Sequence, residues 1–178
     1  MSETIQILDL SFKPYISAEH IEIAVSEMAK KIDADYAGKN PVFICVLKGS
    51  FIFASDLLKK VTIPCNIEFV RLKSYSGTQS TEDVKEILGL QTDVKGRDLV
   101  ILEDIVDTGH TLASFTKKLT KMDPKSMKIA SLIFKKEAFQ KEFKIDYLAF
   151  EIENKFVVGY GLDYNEYGRN LDAIYQIV

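Results

Sequence analysis

Two short stretches of this sequence are wholly apolar. Val42–Leu47 reads V-F-I-C-V-L and Leu99–Leu102 reads L-V-I-L. A strand with an apolar residue at every position must be covered on both faces. Strands of that kind belong to parallel sheets, whose crossover connections lay helices over the two faces. The flanking segments supply such helices. Ser17–Tyr36 has a capping serine at Ser17 and places Ile21, Val25, Met28 and Ile32 on one face, with Gly38 suited to its end. Phe51–Lys60 returns to helical spacing through Phe51, Ala54 and Leu58. Thr111–Met122 does so with Leu112, Phe115, Leu119 and Met122 inward. Asn66–Leu72, Val84–Leu90, Lys128–Phe134 and Tyr147–Phe150 are further predicted strands. The alternation predicts an α/β protein with a twisted, mainly parallel sheet flanked by helices. Lys73–Asp83 is polar, has no period and reads as a loop. The tail from Glu151 carries aromatics, glycines and acids without a helical pattern, and reads as a small cap over the carboxyl edge of the sheet.

Bulk properties bound the possibilities. A chain of 178 residues suits a single domain, expected as a core of about 10–150 and a hood built mainly from 151–178 with the N-terminal segment. Hydrophobic residues make up 47% and charged residues 28%, a balance of globular rather than disordered proteins. The net charge of −3 implies no general attraction to nucleic acid or anionic membranes, so any anion site must be local. The longest apolar run, Val42–Leu47, falls well short of the roughly 20 residues of a membrane-spanning helix. The polar, acidic start Met1-Ser2-Glu3-Thr4 is not expected to act as a signal peptide. Cys45 and Cys65 both sit in apolar stretches and read as buried, reduced thiols of a cytoplasmic protein. Two cysteines and two histidines in no ligand spacing predict no zinc site.

The most informative stretch is Val100–Leu112, V-I-L-E-D-I-V-D-T-G-H-T-L. A buried strand ends in Glu103 and Asp104. A short loop holds Asp107, Thr108 and Gly109, and a helix follows near Thr111. Ligands of open α/β sheets bind beyond the carboxyl ends of the strands. Backbone N–H groups at a helix start favour phosphate. Gly109 lets the backbone come close, and Thr108 and Thr111 add hydroxyls. The loop reads as a phosphate cradle, and it is not the G-x-x-x-x-G-K-[ST] loop of nucleotide triphosphatases. The carboxylates suit a different part of the same ligand. They accept hydrogen bonds from sugar hydroxyls and can hold magnesium, which prefers oxygen.

This string resembles the phosphoribosyl pyrophosphate signature of the type I phosphoribosyltransferases. Its surroundings resemble the hypoxanthine-guanine branch, through Val46–Gly49, Arg71–Tyr75, Ala130–Lys135 and Lys155–Tyr167. The resemblance spans nearly all of Val42–Arg169 in the order of the family. It implies the type I phosphoribosyltransferase fold with a small C-terminal hood, and transfer of 5-phosphoribosyl to hypoxanthine, and to guanine, with Mg2+. Glu103, Asp104, Asp107, Thr108, Gly109, His110 and Thr111 would hold the phosphoribosyl group and its 5′-phosphate. Asp107 would be the general base. Lys48, Gly49 and Arg169 would bind pyrophosphate, in a loop where the family often has a cis peptide. Lys135, Lys155, Phe156, Val157 and Asp163 would bind the purine, with Lys135 donating to its 6-oxo group. Glu103, Asp104 and Asp163 would serve the metal, and Ser74 and Tyr75 would begin a closing lid. Two positions depart from the pattern: His110 stands where many members have lysine or another residue, and Gly168 replaces a bulkier one. The resemblance also implies a homodimer or homotetramer, and neither a nucleic-acid nor a membrane partner. Two alternatives share the motifs, an enzyme preferring xanthine and guanine, and a non-catalytic RNA-binding regulator on the same fold.

Overall fold

The computed structural model describes residues 4–73 and 85–178. The lid residues Ser74 and Tyr75, most of the predicted loop Lys73–Asp83 and the start of the predicted strand at Val84 lie outside them. In chain order the elements are β1 (Ile5–Ile7), β2 (Leu10–Ile16), α1 (Ala18–Asp35), β3 (Val42–Leu47), α2 (Phe51–Lys60), β4 (Asn66–Lys73), β5 (Lys85–Leu88), β6 (Asp98–Val106), α3 (His110–Thr120), β7 (Ser126–Lys135), β8 (Tyr147–Ile152), β9 (Val157–Val158) and β10 (Ile174–Ile177).

The central sheet has the order β5-β4-β3-β6-β7-β8. β4, β3, β6, β7 and β8 run parallel, and β5 pairs antiparallel with β4 at the edge. This is the expected twisted, mainly parallel sheet. The two apolar runs lie side by side at its centre, with Val42 opposite Leu99 and Cys45 opposite Leu102. Alternate residues of β3 face opposite layers. Phe43 and Cys45 pack with Ile21, Val25, Met28 and Ile32 of α1 and Phe53 and Leu57 of α2. Val42, Ile44 and Val46 pack with Leu112, Phe115 and Leu119 of α3. Ser17 caps α1, its side chain accepting from His20 N–H at 3.2 Å.

A second, antiparallel sheet has the order β1-β2-β10-β9. It joins the N-terminal segment to the tail, with Ile16 opposite Ile174 and Phe12 opposite Ile177. Phe12, Ile7 and Val158 form its small core. Leu10–Ile16 therefore lies in this sheet and not in the central one. No helix among the described residues is long and apolar enough to cross a membrane.

The structure corrects several sequence expectations. α2 turns Phe53, Ala54 and Leu57 inward, while Phe51 is 44% exposed and Leu58 only flanks the core. Ten residues cover too few turns for spacing to choose between neighbouring faces. Met122 lies past the end of α3 and is exposed. β6 does not end at Leu102 but continues to Val106, because β7 extends alongside it and pairs Ile105 with Ile133 and Val106 with Phe134. Cys45 is fully buried but Cys65 is only partly so, and both thiols are free. Truncation should separate the two aromatic residues of α2. Phe53→Ala should cost about 3–5 kcal/mol of unfolding free energy and Phe51→Ala less than about 1 kcal/mol, read by urea denaturation.

Candidate active site

The centre of the site is the carboxyl end of β6. Asp104 is buried, and Glu103 Oε2 is buried with no hydrogen-bond partner among the described residues. Burial pushes the Glu103 carboxyl well above the usual range, and the neighbouring Asp104 charge adds to this. Burial also raises Asp104, to about 6, against the pull of its own and Ile105's backbone N–H groups and of the Arg169 guanidinium. The loop after β3 lies directly on this pair. A side chain at Gly49 would run into the Asp104 carboxylate, so only a glycine lets the loop approach. The Leu47–Lys48 peptide in that loop is cis. Ser50 ties the loop down, its hydroxyl donating to the Val46 carbonyl at 2.6 Å.

Beyond β6 the chain turns through Asp107, Thr108 and Gly109 into α3. Gly109 is the N-cap, with φ 79°, and no side chain caps the helix start. The amide end of α3 is thereby left open to a ligand. Behind Gly109 stand Phe139 and Phe143, which a Cβ at that position would strike. The Gln140 side chain meets His110 Nε2 at 3.1 Å, and Gln140 N–H donates to the Thr108 carbonyl at 3.2 Å. The segment after β7 thus supports the phosphate-type loop from below.

Lys135, at the end of β7, is buried and its Nζ reaches Asp107 Oδ2 at 3.0 Å. The Asp107 side chain is about half exposed, at 46%. From the tail come Asp163 and Arg169, paired at 2.7 Å, with Arg169 also donating to the Gly161 carbonyl at 2.9 Å. Lys48 is held by Glu166, its Nζ within 2.8 and 2.9 Å of the two carboxylate oxygens. Phe156 is exposed on the second sheet, its ring 6.2 Å from Phe12 and 5.9 Å from Tyr164, while Val157 is buried. Lys155 is exposed and pairs with Glu153 at 3.0 Å.

A cavity of about 290 Å³ brings together Lys48, Gly49, Glu103, Asp104, Thr111, Asp163 and Arg169. Val46, Leu47 and Leu72 complete its wall. Of the residues expected from the sequence, Asp107, Thr108, Gly109, His110, Lys135, Lys155, Phe156 and Val157 lie outside this wall. Among the described residues no three acidic, histidine or cysteine side chains converge closely enough to hold a metal ion alone. Glu103 and Asp104 still fit one as part of a set completed by a ligand's oxygens. Their buried charge lacks a full counter-charge, and a hard cation accepts carboxylate oxygen. Sequence reasoning missed Glu166, which binds the lysine and approaches the arginine of the cavity. Its signal was an acid three residues before Arg169 in a segment already singled out.

Residues 15–165 match the phosphoribosyl transferase domain family. The chain is 41% identical over 163 residues to the hypoxanthine-guanine phosphoribosyltransferase of Streptococcus agalactiae, covering 91% of each chain. Its structure is similar to that of the hypoxanthine-guanine phosphoribosyltransferase of Bacillus anthracis, with a TM-score of 0.88 and 35% identity, covering 93% of this chain and 98% of that one. It is also similar to the hypoxanthine phosphoribosyl transferase of Trypanosoma cruzi, at TM-score 0.89 and 32% identity, covering 98% of this chain and 95% of that one.

The buried acids give a pH signature. A carboxyl raised from 3.8 to about 6 holds its proton more firmly folded than unfolded. Its contribution is full below the lower value and is lost as pH rises through that window. Asp104→Asn removes the loss. Without divalent cations, its stability relative to the wild type should climb as pH rises from about 4 to about 7. Denaturant unfolding across that range checks this, and a constant difference would contradict the burial argument.

Proposed function

The chain belongs to the hypoxanthine-guanine phosphoribosyltransferase family, and on that premise we propose how its own residues carry out purine salvage. The enzyme transfers 5-phosphoribosyl from phosphoribosyl pyrophosphate to hypoxanthine or guanine, releasing the nucleoside monophosphate and pyrophosphate. The observation that carries the assignment of residues is the order of groups along one strand and its loop. A half-buried glutamate, one of its oxygens unpartnered, and a buried aspartate are followed by an acid paired with a buried lysine, and then by an uncapped helix start.

In this reading the 5′-phosphate sits on the amide end of α3, with Thr108, Gly109, His110 and Thr111 around it. Glu103 and Asp104 face the ribose hydroxyls. Lys48, Gly49 and Arg169 take the pyrophosphate. Lysine acts there as a point charge and arginine as a planar fork. Mg2+ held by Glu103, Asp104 and Asp163 with substrate oxygens would neutralise the departing pyrophosphate.

O6 and N7 lie on one edge of a 6-oxopurine, and the Lys135–Asp107 pair matches that edge. Lys135 donates to O6, and Asp107 accepts the proton from N7 as N9 attacks C1′ of the ribose. Adenine presents an amino donor where O6 would be, leaving Lys135 without its acceptor. Asp107 also places negative charge near a sugar carbon that becomes cationic in the transition state. Phe156 stacks on the base, Val157 meets its edge through the backbone, and Lys155 and Asp163 flank it. Ser74 and Tyr75 begin the lid that keeps water from the cationic sugar.

The whole chain, 1–178, works as one domain, with the second sheet as the hood over the central one. It assembles as a homodimer or homotetramer, supported by the exposed apolar pair Ile67 and Phe69 on β4. Its place is the cytoplasm, in keeping with two free thiols. An assay of nucleotide formation with hypoxanthine, guanine, xanthine and adenine tests the reading. Hypoxanthine and guanine should be turned over and adenine at most weakly. Asp107→Asn should lower kcat by about 10²-fold or more. Near-normal turnover of that variant would overturn the assignment of the base.

A further inference from the structure

The turn Tyr164–Tyr167 is closed by mutual backbone hydrogen bonds, Tyr164 N–H to Tyr167 O at 2.9 Å and Tyr167 N–H to Tyr164 O at 3.0 Å. Both central residues have positive φ, Asn165 at 51° and Glu166 at 71°. This is the pattern of a type I′ turn, whose first central position suits asparagine and whose second suits glycine. Glutamate in that second place is disfavoured by its Cβ. Strain of this sort points to a use for the side chain.

The side chain is well occupied. Its two oxygens take Lys48 Nζ at 2.8 and 2.9 Å, and Oε2 lies 3.3 Å from the Arg169 guanidinium. The Glu166 N–H donates to Asp163 Oδ2 at 2.8 Å, which fixes the turn against the cavity. Yet the Glu166 side chain is 63% exposed, and ion pairs so open to water stabilise a fold very little. Stability is therefore a poor reason to keep a glutamate there. The cations it engages are the ones assigned above to pyrophosphate, and this inference rests on that assignment.

We propose that Glu166 is an internal counter-anion, which holds Lys48 and Arg169 in place while the pyrophosphate position is free and competes with pyrophosphate for them. It is a positioning residue, acting through the two cations. Incoming phosphoribosyl pyrophosphate displaces the carboxylate into solvent, at little cost because the side chain is already exposed. After transfer, the returning carboxylate helps release pyrophosphate. No bond is made or broken in the exchange, and one anion replaces another.

Calorimetric titration with inorganic pyrophosphate tests this in wild type, Glu166→Gln, Glu166→Gly and Lys48→Met, each checked by thermal melting. Removing the competitor should tighten pyrophosphate binding roughly three- to tenfold in both Glu166 variants. The KM for phosphoribosyl pyrophosphate should fall with it and the KM for hypoxanthine should stay the same. Glu166→Gly also relieves the backbone, so its melting temperature should match or exceed that of the wild type. Unchanged or weaker pyrophosphate binding in both Glu166 variants, with Lys48→Met weakened as expected, overturns this inference alone. Pyrophosphate binding that is absent in the wild type or indifferent to Lys48→Met overturns the assignment of the cations, and this inference with it.

Discussion

Two adjacent carboxyl groups are folded into the end of a central strand, and much of the site is organised around them. Burial disfavours the charged form of both Glu103 and Asp104, and the Asp104 charge raises the cost of ionising Glu103 further. Apolar packing on both faces of β3 and β6 fixes the strand, so the acids cannot retreat to water. What relieves them must come from the open side: hydroxyl donors, a divalent cation, or the guanidinium of Arg169. The loop after β3 closes down on them through a residue with no side chain. The carboxyl end of the sheet thus gathers acids whose burial a hydroxyl-bearing ligand or a cation would offset.

Around this pair the site is arranged as ion pairs within the chain. Lys135 is matched to Asp107, Arg169 to Asp163 and Lys48 to Glu166. Each cation assigned to a substrate atom already has a carboxylate partner. In the free protein these cations are therefore held by carboxylates of the chain itself. The pairs differ in their access to water. Lys135 is shielded from solvent although Asp107 is about half exposed, so their contact is screened less than the link from Lys48 to Glu166, which lies in water.

Much of this was legible in the sequence where the physics is local. Wholly apolar runs gave β3 and the first half of β6. The Ser17 cap and the spacing of Ile21, Val25, Met28 and Ile32 gave α1. Glu103 through Thr111 stand in one unbroken string, so the succession of strand, turn and helix start could be read from order, although only Glu103, Asp104 and Thr111 of it line the cavity. Less was legible where partners are distant. β2 buries only Phe12 and Ile16 and carries Pro14, so its alternation is faint, and its pairing with β10 joins opposite ends of the chain. The true length of β6 depends on β7, and the inward face of α2 on the sheet beneath it. The union of Lys48 with Glu166 spans 118 positions and leaves no periodic trace. The expected lid at Ser74 and Tyr75 lies outside the described residues.

The tail meets the loop after β3 at a point where neither has bulk to spare. A Cβ at Gly161 would overlap the Gly49 carbonyl, and one at Gly49 would strike Asp104. Hood, loop and carboxylate are therefore stacked through two missing methyl groups. Neither glycine belongs to the core of either sheet. An alanine at Gly49 or Gly161 thus acts as a wedge, forcing apart the hood, the loop after β3 and the Asp104 carboxylate where they are stacked.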